Sequence, residues 1–160
     1  MGLINIYTDG AAKGNPGPGG YGVVLEYNKR KKELSAGFKL TTNNRMELLA
    51  VIIGLESIIE EGHKIIIYSD SKYVVDAINK NWVFNWEKQN YKKKKNPDLW
   101  KRFLKIYRKH DVKLTWLKGH AGHLQNERCD FLAVKAAESR KLETDSWYEK
   151  NSSNHQRKLF

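Results

Sequence analysis

The sequence predicts an α/β fold, a mixed sheet with helices on both faces. Three observations carry that prediction. The first forty residues hold three stretches of alternating apolar character joined by turns, the mark of an antiparallel meander. A nearly continuous apolar run at Lys64–Ser69 then reads as a strand inside a covered sheet. Segments of helical period lie between and after these, which gives the order β-β-β-α-β-α-α-β-α. A chain of 160 residues, 40% hydrophobic and 29% charged, is sized for one domain with a full core.

The elements follow in order. Leu3–Asp9 is a strand with Ile4, Ile6 and Thr8 on one face and Asn5, Tyr7 and Asp9 on the other. Residues 10–22 are dense in glycine, contain Pro16 and Pro18, and read as a loop. Strands follow at Tyr21–Tyr27 and, after a basic turn, at Glu33–Lys39. Thr42 or Asn43 can cap a helix over Arg45–Glu60, whose first turns have almost no polar face, so it should be buried. Gly62 is its expected stop. Ser71 can cap Lys72–Asn79, and the stretch Trp82–Pro97 is irregular and basic. Leu99–Lys109 is a helix and Val112–Leu117 a fifth strand. A Gly/His loop precedes the last helix, Asn126–Arg140, where Cys129, Leu132, Ala133, Ala136 and Ala137 form an apolar face. From Glu143 onward the chain is polar and reads as loose.

Charge is distributed unevenly. Residues 1–70 carry 8 basic and 8 acidic groups, whereas residues 71–118 carry 14 basic and 4 acidic, a net +10 of the total +11. The same segment holds Trp82, Trp86, Trp100 and Trp116. Cations interleaved with aromatics suit a polyanion whose backbone needs neutralising and whose sugars or bases offer faces. No run approaches the ~18 apolar residues that span a bilayer. One cysteine, Cys129, leaves no intramolecular disulfide and fits a reducing compartment. The expected location is cytoplasmic, with no membrane contact.

Four carboxylates stand out. Asp9 and Asp70 each end an expected strand, and neighbouring strands would set them side by side. Glu47 lies among Met46, Leu48 and Leu49, where an unpaired carboxylate costs several kcal/mol. Asp130 lies in the first turns of the last helix. Singly, each has a structural explanation as a turn residue, a cap or a partner of a helix dipole. Together they repel, and divalent cations relieve that repulsion; oxygen-only ligands select Mg²⁺ or Mn²⁺ over zinc. His120, His123 and Cys129 lack a second cysteine at a useful spacing, so no zinc site is expected.

The strings YTDGAAKGNPGPGGYG, TTNNRMELLA, YSDSKYV and WLKGHAGHLQNERCD, in this order over Leu3–Ala137, resemble type 1 ribonuclease H of the bacterial kind. The resemblance implies the ribonuclease H-like fold with a five-stranded mixed sheet, three antiparallel strands plus parallel ones. It implies endonucleolytic, two-metal-ion cleavage of the RNA strand of RNA–DNA hybrids, leaving 5′-phosphate and 3′-hydroxyl ends. Two Mg²⁺ ions, which Mn²⁺ could replace, would be held by Asp9, Glu47, Asp70 and Asp130. His120 would assist proton transfer or product release, and Glu127 metal exchange or product release. Asn15, Asn43 and Asn44 fall on positions that contact the hybrid minor groove. Thr42 with Asn15 matches a pocket for a DNA-strand phosphate, and Asn96 a further DNA-strand contact. The stretch from Trp82 through Trp86 to Lys92, Lys93, Lys94 and Lys95 matches a basic protrusion that grips the DNA strand. Of the two tryptophans, Trp86 is the expected sugar-packing residue and Trp82 partly core.

The sequence departs from that pattern at Lys72, a substrate-binding position often occupied by Gln, and at Ala12, often Cys. The segment before Trp82 is one residue longer and the lysine run more compact. None of these removes a catalytic ligand. The expected division is a catalytic domain over residues 1–142, including the protrusion at 82–97, and a polar tail over 143–160. The expected partner is the hybrid duplex, with the protein a monomer that needs no protein partner. An integrase or junction resolvase of the same fold would not carry TTNNRMEL together with a tryptophan-rich protrusion. An inactive hybrid-binding module would gain nothing from four acids facing phosphates.

Overall fold

The computed structural model of the chain describes residues 2–119 and 123–157. Strands β1 (Ile4–Ala12), β2 (Gly17–Tyr27) and β3 (Arg30–Thr41) form the antiparallel meander. Helix α1 (Asn43–Glu56) leads to β4 (Lys64–Ser69), which lies parallel to β1. Helices α2 (Lys72–Asn79), α3 (Trp82–Lys88) and α4 (Pro97–Tyr107) precede β5 (Asp111–Trp116), parallel to β4. Helix α5 (Leu124–Ala137), β6 (Leu142–Glu143) and α6 (Ser146–Arg157) complete the described chain. The strand order is β5-β4-β1-β2-β3-β6, so β6, only two residues long, joins the five expected strands.

The glycine-rich segment differs most from its reading as a loop. It is strand for most of its length, with only residues 13–16 left as the turn between β1 and β2. Glycine there serves close packing rather than chain reversal. A Cβ on Gly10 would collide with the backbone of Met46 and Glu47, and one on Gly22 with the carbonyl of Cys129. Helices α1 and α5 thus press on opposite faces of one sheet with almost no side chain between.

Thr42 caps α1, its hydroxyl accepting from the Arg45 amide at 3.2 Å, and Ser71 caps α2 by accepting from Val74 at 3.3 Å. Helix α1 ends at Glu56, short of Gly62, because the Ser57 hydroxyl donates to the Gly54 carbonyl at 2.7 Å and closes the last turn. Met46, Leu48, Ala50, Val51, Ile52 and Leu55 of α1 are wholly enclosed, as expected of a helix with no polar face. The stretch read as irregular contains α3, which buries Val83 and packs Trp86 edge-on against the buried Trp100 of α4 at 5.7 Å. After α3, positive φ angles at Asn90, Tyr91, Lys93 and Asn96 fold the lysine run into tight turns. No helix among the described residues is long and apolar enough to cross a membrane.

The segment after Glu143, read as loose, is instead tied to the body of the fold. Arg45, 2% exposed in the first turn of α1, meets Asp145 through Nε at 2.7 Å and a second nitrogen at 2.9 Å. It also makes a bidentate pair with Asp98 at 2.9 and 2.7 Å, and Thr41 donates to Asp145 at 2.8 Å. Two carboxylates and the Asn96 amide oxygen around one guanidinium leave little of its hydrogen-bonding capacity unmet. β6 pairs with β3 beside this cluster. Asp145→Ala should therefore lower unfolding free energy by about 3 kcal/mol, because part of a buried charge loses its partner. Urea titration of the two proteins checks this; a loss under about 1 kcal/mol would mean the pair does not anchor the tail.

Candidate active site and nucleic-acid interface

Strand register brings the first two acids together. Tyr7 of β1 pairs with Tyr68 of β4, and their rings stack at 4.8 Å. The same register continued by two residues sets Asp9 beside Asp70. Asp9 lies inside β1, not at its end, and is 4% exposed; Asp70 follows β4 directly. The close approach of α1 at Gly10 then delivers Glu47 to the same place. Oxygens of Asp9, Glu47 and Asp70 all lie within 4.8 Å of one another. The Asp70 end is fixed from behind, since the Trp116 indole donates to its backbone carbonyl at 3.2 Å.

The electrostatics follow from that crowding. Burial, then the charge of Asp70, pushes the Asp9 carboxyl up to about 7, against the opposing effects of hydrogen bonding with Glu47 and of the Gly10 amide that donates to it at 2.9 Å. Burial raises Glu47 well above its ordinary value, and the charges of Asp9 and Asp70 raise it further. Glu47 Oε1 is enclosed without a hydrogen-bond partner. Among the described residues, none of the three acids forms an ion pair with a basic side chain. An oxygen-only donor set, mutually repelling and with one orphaned buried oxygen, fits a hard divalent cation such as Mg²⁺ or Mn²⁺.

Asp130, on α5, stands outside the group of three, although its charge adds to the field that raises Asp9. Glu127 is exposed in the first turn of α5, and His120 lies outside the described residues. Around the N-terminus of α1, Asn15 Oδ1 accepts from the Asn43 amide at 3.1 Å, and Asn43 Oδ1 accepts from the Ala12 amide. The β1–β2 turn and the start of α1 are thereby locked together, with Asn44 exposed beside them. Lys72 opens α2 with its ammonium 4.7 Å from the Trp116 ring centre.

The two protrusion tryptophans differ in exposure. Trp82 is the exposed one, at 43%, whereas Trp86 is half-buried on Trp100. Each carries a lysine over its ring, Lys80 at 5.3 Å and Lys94 at 5.2 Å. Lys92, Lys93, Lys94 and Lys95 are all exposed. Asn96 is buried, its amide accepting from Arg45 at 3.2 Å and donating to the Tyr73 hydroxyl at 2.9 Å. Sequence reasoning missed Arg45 and Asp145; a lone arginine in an apolar helix was the available signal, since such a charge demands partners.

The RNase H family model matches residues 2–138. A ribonuclease H from Desulforamulus reducens is 56% identical over 147 residues, covering 89% of this chain and 92% of that protein. The crystal structure of LC9-RNase H1, a type 1 RNase H with the type 2 active-site motif, superposes with a TM-score of 0.79 at 32% identity, over 88% of this chain and 74% of that one. LC11-RNase H1, solved in complex with RNA/DNA hybrid, superposes with a TM-score of 0.59 at 28% identity, over 84% and 96%.

Asp9 protonates near pH 7 when folded but near its ordinary 3.8 when unfolded, so the folded state gives up stability as pH rises from about 4 to about 7. In EDTA at pH 8, Asp9→Asn should therefore stabilise the fold by on the order of 2–4 kcal/mol, a gain that fades as pH falls toward 4. Added Mg²⁺ should raise the parent's melting temperature but hardly move that of the variant. Thermal melts across pH decide the matter; a variant no more stable than the parent at pH 8 would contradict the crowding.

Proposed function

The chain belongs to the type 1 ribonuclease H family, and on that footing we propose that it hydrolyses the RNA strand of RNA–DNA hybrids. Cleavage is endonucleolytic, leaves 5′-phosphate and 3′-hydroxyl ends, and needs two Mg²⁺ ions, with Mn²⁺ able to substitute. The observation that carries this reading is the convergence of Asp9, Glu47 and Asp70 within 4.8 Å on a chain whose middle segment bears a net +10.

Bound divalent cations would activate water, polarise the scissile phosphate and stabilise the departing 3′ oxygen. The chain's own residues prepare for that. Asp9, Glu47 and Asp70, with Asp130 supplied by α5, are the ligands. Asp9 and Glu47 must lose protons to bind, so their raised values tie metal affinity to pH. The Gly10 amide orients Asp9, and the Trp116 indole holds the backbone that carries Asp70. His120 assists proton transfer or product release, and exposed Glu127 assists metal exchange.

Substrate discrimination rests on the short polar side chains near the site. Asn15, Asn43 and Asn44 would read 2′-hydroxyls and sugar edges across the minor groove, where hybrid and homoduplex differ. Thr42 and Asn15, at the N-terminus of a long helix, suit a phosphate of the DNA strand. Trp86, with exposed Trp82 near it in sequence, offers a ring to a deoxyribose. Lys72 and the run Lys92–Lys95 neutralise backbone charge. Asn96 contributes by holding Arg45 and Tyr73 in place under the protrusion.

Labelled hybrid, double-stranded RNA and double-stranded DNA, each incubated with Mg²⁺ or EDTA, provide the test. Only hybrid with Mg²⁺ should be cut. DNA cutting would support a different nuclease of this fold, and binding without cutting an inactive module. Asp70→Asn should lower kcat by roughly 10³-fold or more while leaving hybrid binding in place; residual activity within tenfold of the parent would misplace the site. Converting Lys92–Lys95 to glutamine should raise KM and flatten its dependence on salt, with kcat little changed. A fall in kcat alone would argue against a gripping role.

A further inference from the structure

Four residues of α6, Trp147, Tyr148, Asn151 and Ser152, share one face of the helix by their spacing, and that face lines a groove. Asn15, Thr42, Asn44 and Lys95 also line it. The groove is built rather than incidental. The Arg45 guanidinium that pairs with Asp145 also sits 5.0 Å from the Trp147 ring centre and 5.9 Å from that of Tyr148. One buried cation thus fixes the first turn of α6 against the first turn of α1. The matched family region ends at residue 138, so α6 lies beyond the segment that defines the family.

Resting on the reading above, we infer that α6 is a wall of the channel that receives the sugar–phosphate backbone of the uncut DNA strand, with Asn151 and Tyr148 as contacts. Beside the Trp147 ring and Pro16, the lining is one ammonium together with amides and hydroxyls, and no acidic side chain borders it. Such a surface suits a phosphodiester backbone, which is read by donors and neutralised by cations. None of the catalytic carboxylates borders it, so the groove is separate from the acidic site, and Thr42 and Asn15, read above as suiting a DNA-strand phosphate, are part of its lining.

Asn151 is exposed, so substitutions there keep the fold. Asn151→Asp and Asn151→Lys place opposite charges in the groove, and fluorescence anisotropy of labelled hybrid in EDTA reads binding without chemistry. The aspartate variant should bind roughly threefold to tenfold more weakly. The lysine variant should bind more tightly and steepen the slope of log Kd against log salt by about one. A hybrid whose DNA strand carries uncharged methylphosphonates should erase the difference between the two variants. Affinities within twofold of the parent for both variants, or a change of the same sign in both, would overturn the inference. So would a difference that survives the methylphosphonate strand, which would place the contact elsewhere. Hybrid cleavage by the parent with Mg²⁺ is scored separately. If the parent does not cut, the nuclease reading fails whatever the groove does; if it cuts while the variants bind alike, the α6 assignment alone fails.

Discussion

Helix α1 lies so close to β1 that residue 10 has no room for a side chain, and the rest of the site depends on that contact. A helix normally stands off a sheet, separated from it by interleaved side chains. Here the backbone around Met46 and Glu47 occupies the space a Cβ on Gly10 would need. The short carboxylate arms of Asp9 and Glu47 can meet only because of this approach. The parallel register of β1 and β4 then supplies Asp70. Each of these placements is costly in like-charge repulsion and desolvation, and the cost is offset by packing elsewhere. The enclosed apolar face of α1 and the aromatic group around Trp100 are the places where that stabilisation is found.

Much of this was legible in the amino-acid order. Alternation in β1 and β3, the apolar run of β4, the capping residues Thr42 and Ser71, and the unpolar start of α1 all follow from period and chemistry. The three converging acids were visible as carboxylates with apolar neighbours. Position 10 was misread because glycine has two uses, chain reversal and close approach, and a single sequence does not separate them. The segment around Gly20 failed for the same reason: with α5 more than a hundred residues away, nothing local signals that a helix will lie on it. The relative exposure of the two tryptophans was not legible, because it depends on which face of α3 meets Trp100, and a seven-residue helix shows little periodicity. The fourth acid, Asp130, was recognised by motif; among the described side chains it stands apart from the close trio.

The Arg45 cluster shows how a charge in a core can be informative. Arginine, two aspartates and a threonine from four parts of the chain meet at one enclosed point. An apolar set of equal volume could match it in stability, so its value lies in geometry. A guanidinium accepts partners only in its own plane and at fixed angles, which specifies how the start of α1, the start of α4 and the last described helix meet. The start of α1 also carries the residues nearest the acids. A polar cluster with no chemistry of its own thereby sets the spacing between the acidic site and the groove beside α6.

The strand order has a separate consequence at its two borders. One border is β6, two residues long; the other is β5, whose outward row includes the charged Asp111 and Lys113. A two-residue strand is too short to template a foreign chain, and charged side chains along a rim oppose flat stacking of like on like. A sheet with a strongly apolar interior is thus guarded against runaway cross-β growth, even though neither rim is sealed by closure into a barrel.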